Sequence, residues 1–137
     1  MSVVDVHRWV DTLMGRYAGR EVTGSALFPL TKRSDGAELD CKFIPLDRHP
    51  FDYLVTYRPP RGCVALGLVT AGWAAPIGSP VRPSAHPDAQ RILQALVIAA
   101  DGQEAARLRY ADGRIIDPGE GGYGRVLDAL RAAVRRQ

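Results

Sequence analysis

Between Cys63 and Thr70 the chain is apolar on both sides of the strand alternation. Val64, Leu66 and Leu68 fall on one face, and Ala65, Gly67 and Val69 fall on the other. Successive strand residues point to opposite faces, so a segment of this kind buries both of them. It has to be a central strand, with neighbours on either side and a covering layer above and below. The rest of the chain must supply those strands and layers.

The neighbours are signalled by turn chemistry. Ile92–Ala100 is apolar and β-branched, Asp101-Gly102 reads as a two-residue hairpin turn, and Glu104–Tyr110 returns. In that return strand Leu108 and Tyr110 share one face and Arg107 and Arg109 the other, the pattern of a strand half exposed to water. Asp112-Gly113 then turns the chain into Ile115-Ile116. Upstream, Gly24–Phe28 and Leu39–Leu46 read as strands separated by Ser34-Asp35-Gly36. Tyr53, Val55 and Tyr57 alternate as a further strand, ended by the turn Arg58-Pro59-Pro60-Arg61-Gly62.

The covering layers are predicted at the two ends. Val6, Val10, Leu13 and Tyr17 form one helical stripe with Trp9 beside it. Ser2 and Asp5 are spaced as a capping box, and Gly19 is placed as a helix stop. Tyr123, Val126, Leu127, Leu130 and Val134 form the stripe of a terminal helix. The expected fold class is α+β: an antiparallel sheet of five or six strands, with the N-terminal and C-terminal helices packed on one face. A closed or half-closed barrel with two helices is the alternative. The order resembles profilin-like and roadblock-like domains at the level of architecture alone, and the resemblance implies no activity.

A chain of 137 residues makes residues 1–137 one domain with one core. Hydrophobic residues at 46% and charged residues at 24% exclude global disorder. The longest apolar run, Cys63 to Pro76, is interrupted by Gly67, Thr70 and Gly72, so no membrane span is expected. The start MSVVDVHRWVD lacks a basic patch before an apolar stretch, and the cytoplasm is the expected compartment. The formal charge of +3 is too small to argue for nucleic acid alone, although only Lys32 and Lys42 among the 18 basic residues are not arginine. Cys41 and Cys63 fit no metal spacing and no redox pair, and are expected as reduced, core-like thiols.

The densest polar chemistry falls in a long Pro-rich loop at about 71–90. Trp73, Arg82, Ser84, His86 and Asp88 are the candidate ligand- or partner-binding residues. Arg82 and Trp73 suit an anion or a planar ligand. Ser84, His86 and Asp88 have triad residue types, but no nucleophile elbow accompanies them. Gly119 to Gly124 contains G-x-G-x-x-G, yet too little chain follows for a dinucleotide fold. His7, His49 and His86 are dispersed, so no metal and no cofactor are expected. A basic patch is predicted from Arg58 and Arg61 in one loop and Arg107 and Arg109 on one strand face, with Tyr53 and Tyr57 for stacking.

The leading expectation is a non-enzymatic regulatory or adaptor module, acting through a sheet face and the 73–88 loop. Two short helices leave apolar sheet to cover, so its first expected partner is a second copy of itself, and another protein comes next. The alternatives are a hydrolase with His86 as general base and a nucleic-acid binder using the arginine face.

Overall fold

The computed structural model describes residues 4–20, 24–35, 38–74, 90–117 and 125–136. Its elements run α1 (Val6–Gly15), β1 (Ser25–Thr31), β2 (Asp40–Cys41), β3 (Ile44–Leu46), α2 (Pro50–Leu54), β4 (Cys63–Ala74), β5 (Gln90–Ala99), β6 (Glu104–Tyr110), β7 (Ile115–Ile116) and α3 (Arg125–Val134). The class is α+β. All strand pairs are antiparallel, in the order β2-β1-β4-β5-β6-β7, and β3 also pairs with β1, giving seven strands in one open sheet.

The doubly apolar strand lies where its pattern requires, with β4 between β1 and β5. Ala65 and Val69 join the core that contains Val10, Leu13 and Met14 of α1. Leu66 and Leu68 join the core that contains Leu127, Leu130 and Val134 of α3. The two terminal helices therefore cover opposite faces, not one. The reason is in β4 itself: a strand buried on both sides needs a layer on each.

The layers interlock by size. On the α1 side the sheet sets Ala26, Ala65, Ala95, Ala99 and Ala105 among Phe28, Leu30, Val69, Leu93 and Val97, and the helix brings Leu13 and Met14 to the small positions. Under α3 the sheet presents Leu27, Leu66, Leu68, Leu96 and Ile98, and the helix brings Ala129 and Ala133 beside its leucines. Large against small fills the space between layers without overlap. Gly67 is the closest point, where a Cβ would stand 2.5 Å from Leu13 Cδ1.

Local chemistry accounts for the element ends. Asp5 is the N-cap of α1, accepting from the Arg8 amide at 3.1 Å, so Asp5 itself fills the role expected of Ser2. Helix α1 stops at Gly15, and Gly19 follows in the next turn at φ +71°. The two hairpins β5–β6 and β6–β7 are built alike. Ala100-Asp101-Gly102 and Ala111-Asp112-Gly113 each put a positive-φ glycine last and use the aspartate to accept from the amide two residues on. They are three-residue turns, because only the glycine adopts positive φ and the two-residue form would need it at both centres.

Two stretches read as strands differ. The segment Leu39–Leu46 is broken into β2 and β3. Pro29 of β1 accepts from the Lys42 amide through its carbonyl but has no N–H to return, so the ladder lapses there. Tyr53 belongs to α2, not to a strand. His49 Nδ1 caps that helix by accepting from the Phe51 amide, Pro50 opens it, and Arg136 of the C-terminal segment donates to the Leu54 and Tyr57 carbonyls at its end. Tyr53 and Tyr57 stack with centroids 5.5 Å apart against the α3 core. No described helix is long and apolar enough to cross a membrane.

Candidate functional site

The sheet is longer than its cover on one face. Ten residues of α1 extend about 15 Å at 1.5 Å per residue. Ten residues of β5 extend about 33 Å at 3.3 Å per residue. Past the end of α1 the turn through Gly19 and Arg20 bends over the sheet and leaves a cleft of about 430 Å³. That volume lies in the range of small-ligand pockets, roughly 300–1,000 Å³.

Register places the lining. Leu93 of β5 stands opposite Arg109 of β6, and Ile92 opposite Tyr110. Arg91, Leu93 and Arg109 fall on the α1 side by alternation. Arg20 closes the cleft from the turn, and Ala111 and Gly113 close it from the β6–β7 hairpin. Arg20, Arg91 and Arg109 line the cleft with Leu93 and with the strand positions Ile92 and Tyr110, and no carboxylate is among the described lining residues. Arg114 lies over the Tyr110 ring at 4.4 Å from its centroid. Among the described residues the lining holds no serine, threonine, cysteine or histidine.

The two arginines of β6 are held in different ways. Arg107 is only 13% exposed, lies 2.9 Å from Asp11 and 3.4 Å from Asp117, and has two carboxylates to balance its charge. Arg109 donates to the backbone carbonyls of Tyr17 and, at 2.7 Å, Arg20. Those carbonyls end the helical turn and fix the guanidinium in place, but they carry no net charge. Both arginines face α1, so this side of β6 is not the water-facing side its alternation suggests.

The predicted basic patch is not assembled. Arg58 and Arg61 are exposed in the segment before β4, next to Cys63 at its start. Arg109 is level with Leu93, and Leu93 with Ala71, eight residues further along β4. Strand rise sets Arg109 about 26 Å from the start of β4, and Arg107, level with Val69 six residues along, about 20 Å from it. Arg131, another of the arginines, is tied to Glu104 by contacts of 2.6 and 2.8 Å and to Asp128. This pairing holds the Glu104 carboxyl below its ordinary range.

The Trp73 backbone is at the cleft end of the sheet, paired in register with Arg91. Strand pairing continues through Ala74 and Gln90, so the expected loop is shorter than 71–90 by its ends. Arg82, Ser84, His86 and Asp88 lie outside the described residues, as do Gly119 to Gly124. Cys41 and Cys63 are free thiols whose pKa values are raised by burial, with the Arg16 charge opposing this at Cys41. Among the described residues no group of three or more His, Cys, Asp or Glu is placed to hold a metal ion. Arg20, Arg91 and the Arg109 anchoring were missed from sequence because the cleft is created by register and by the mismatch of helix and strand length. Comparison of the chain with protein families, curated proteins and solved structures finds no match in any of the three.

Proposed function

We propose that the protein is a small non-enzymatic binding module, regulatory or adaptor in role, which takes its ligand at the open end of the α1 face. The observation that carries this reading is the cleft of about 430 Å³ where the sheet outruns helix α1. Among the described residues the lining offers arginine and apolar groups and no nucleophile beside a base, which supports binding over catalysis. The β4–β5 ends that flank the 75–89 segment are at this same end of the sheet, which favours the sheet end over the middle of a sheet face.

A fragment titration of the ¹⁵N-labelled full chain tests the proposal. Amide shifts are expected to cluster on Gly19, Arg91 to Leu93 and Arg109 to Gly113. Shifts confined to α2 or to the β2–β3 margin overturn it.

Self-association is a second part of the proposal. Both faces of β4 are buried within one chain, so a bare sheet face is not the surface for it. Phe43, 59% exposed in the break between β2 and β3, is the observation that favours a contact there. A light-scattering mass of two chains that falls to one in Phe43→Glu supports the contact. A single-chain mass for the wild-type protein at micromolar concentration removes it.

A further inference from the structure

We infer that the cleft beyond α1 binds a small organic anion, a carboxylate or phosphate carried on an apolar body, with Arg109 as its fixed cationic centre. The inference rests on the proposed reading of this cleft as the ligand site and adds the chemical class of the ligand. Arg20, Arg91 and Arg109 line one cavity, and among the described residues no carboxylate shares the lining. Like charges gathered in a partly enclosed space raise the local potential and favour an anion there.

Arg109 makes the inference specific. Two residues away, Arg107 meets two carboxylates on the same face. Arg109 meets two backbone carbonyls, which orient it and leave its charge unbalanced among the described residues. A guanidinium offers five N–H donors in a rigid fork suited to paired oxygen acceptors, and the carbonyl contacts involve only its two terminal nitrogens. Its orientation is set before a ligand arrives, which lowers the ordering cost of binding. Leu93 and Ala111 give the apolar wall for the rest of the ligand.

The test uses the full ¹⁵N-labelled chain at constant ionic strength, titrated with benzoate, phenyl phosphate, inorganic phosphate and neutral benzyl alcohol. Both aromatic anions are expected to shift the Leu93 and Ala111 amides, with affinity at least about tenfold above that of benzyl alcohol. Benzoate against phenyl phosphate separates the two anion sources, and inorganic phosphate isolates the charge from the apolar body. In Arg109→Gln the anion affinity is expected to fall about tenfold with benzyl alcohol unchanged. Arg20→Gln, at an exposed position, is expected to weaken the same anions by a smaller factor, and it keeps the test valid where Arg109→Gln disturbs α1. Equal binding of benzyl alcohol and the aromatic anions overturns the anion inference and leaves the cleft as a ligand site. Absence of cleft shifts with every probe overturns both.

Discussion

The two faces of the sheet are buried by different means. On the α3 side, large sheet residues meet a helix carrying Ala129 and Ala133, and α2 fills the flank through Leu54. The layer is tied down by the Arg131–Glu104 pair and by Arg136 on the α2 carbonyls. On the α1 side, alanines and Gly67 draw one helix close, and nothing of α2 accompanies it. Close approach gives tight packing, but one short helix covers less length. The contrast teaches that the cleft is a consequence of cover and not of a dedicated insertion. It opens where the single-helix face runs out of helix.

The largest effect expected from disturbing this arrangement is on the α3 side. Leu130 is fully buried, and Leu130→Ala should cost about 3 kcal/mol in urea unfolding. A cost below about 1 kcal/mol would show that α3 repacks freely. On the α1 side the expected limit is crowding. Gly67→Val pushes into Leu13, which is also fully buried, and should cost about 2 kcal/mol. Adding Leu13→Ala should recover part of that loss in a double-mutant cycle, and strict additivity would deny the close approach.

A third prediction concerns the tie on the α3 side. The Arg131 hydrogen bonds, opposed by burial, lower the Glu104 carboxyl below its ordinary 4.5. A lowered carboxylate contributes stability above its unfolded value and loses that contribution as pH falls through the folded one. Glu104→Gln should therefore be less stable by about 1 kcal/mol at neutral pH, discounted for partial exposure of the pair. The difference from wild type should close on the acid side of pH 4.5, as followed by thermal unfolding. The smallest effect is at Tyr57, whose hydroxyl burial pushes up to about 12 from 10.0. A raised value means stability fully present below pH 10 and lost as pH rises toward 12. Burial also raises Tyr17, so ultraviolet titration should show late tyrosine absorbance that shrinks in Tyr57→Phe, with neutral-pH stability unchanged within about 0.5 kcal/mol.

Much of the sheet was readable because its signals are local. The alternation in Cys63–Thr70 marks a strand whatever surrounds it, and Asp101-Gly102 and Asp112-Gly113 mark turns by backbone chemistry. Glu104–Tyr110 and Ile115-Ile116 keep the bounds their patterns suggest. The failures are where tertiary contacts decide. Tyr53, Val55 and Tyr57 have the alternation and side-chain types of a strand. Their segment begins with a helix of five residues, too short to display a helical period and secured by His49 and by Arg136 from 79 residues away. The side of β6 facing α1 was misread because arginine there suggests water, whereas Asp11 and the Tyr17 carbonyl are its partners. The cleft depends on which strand residues stand level with the end of a helix, a relation no local pattern encodes.

The margins of the sheet have a consequence for how other molecules engage this protein. Among the described residues β1 is flanked at one side only by the two residues of β2 and the three of β3, with Pro45 among them, and at the other side β7 has two residues. Fragments this brief give a foreign backbone little ladder to extend, which discourages strand-by-strand recruitment along β2, β3 and β7 themselves. On the proposed reading, recognition is then left to side chains, and a visitor is discriminated by its shape and charge, not by any readiness to become another strand.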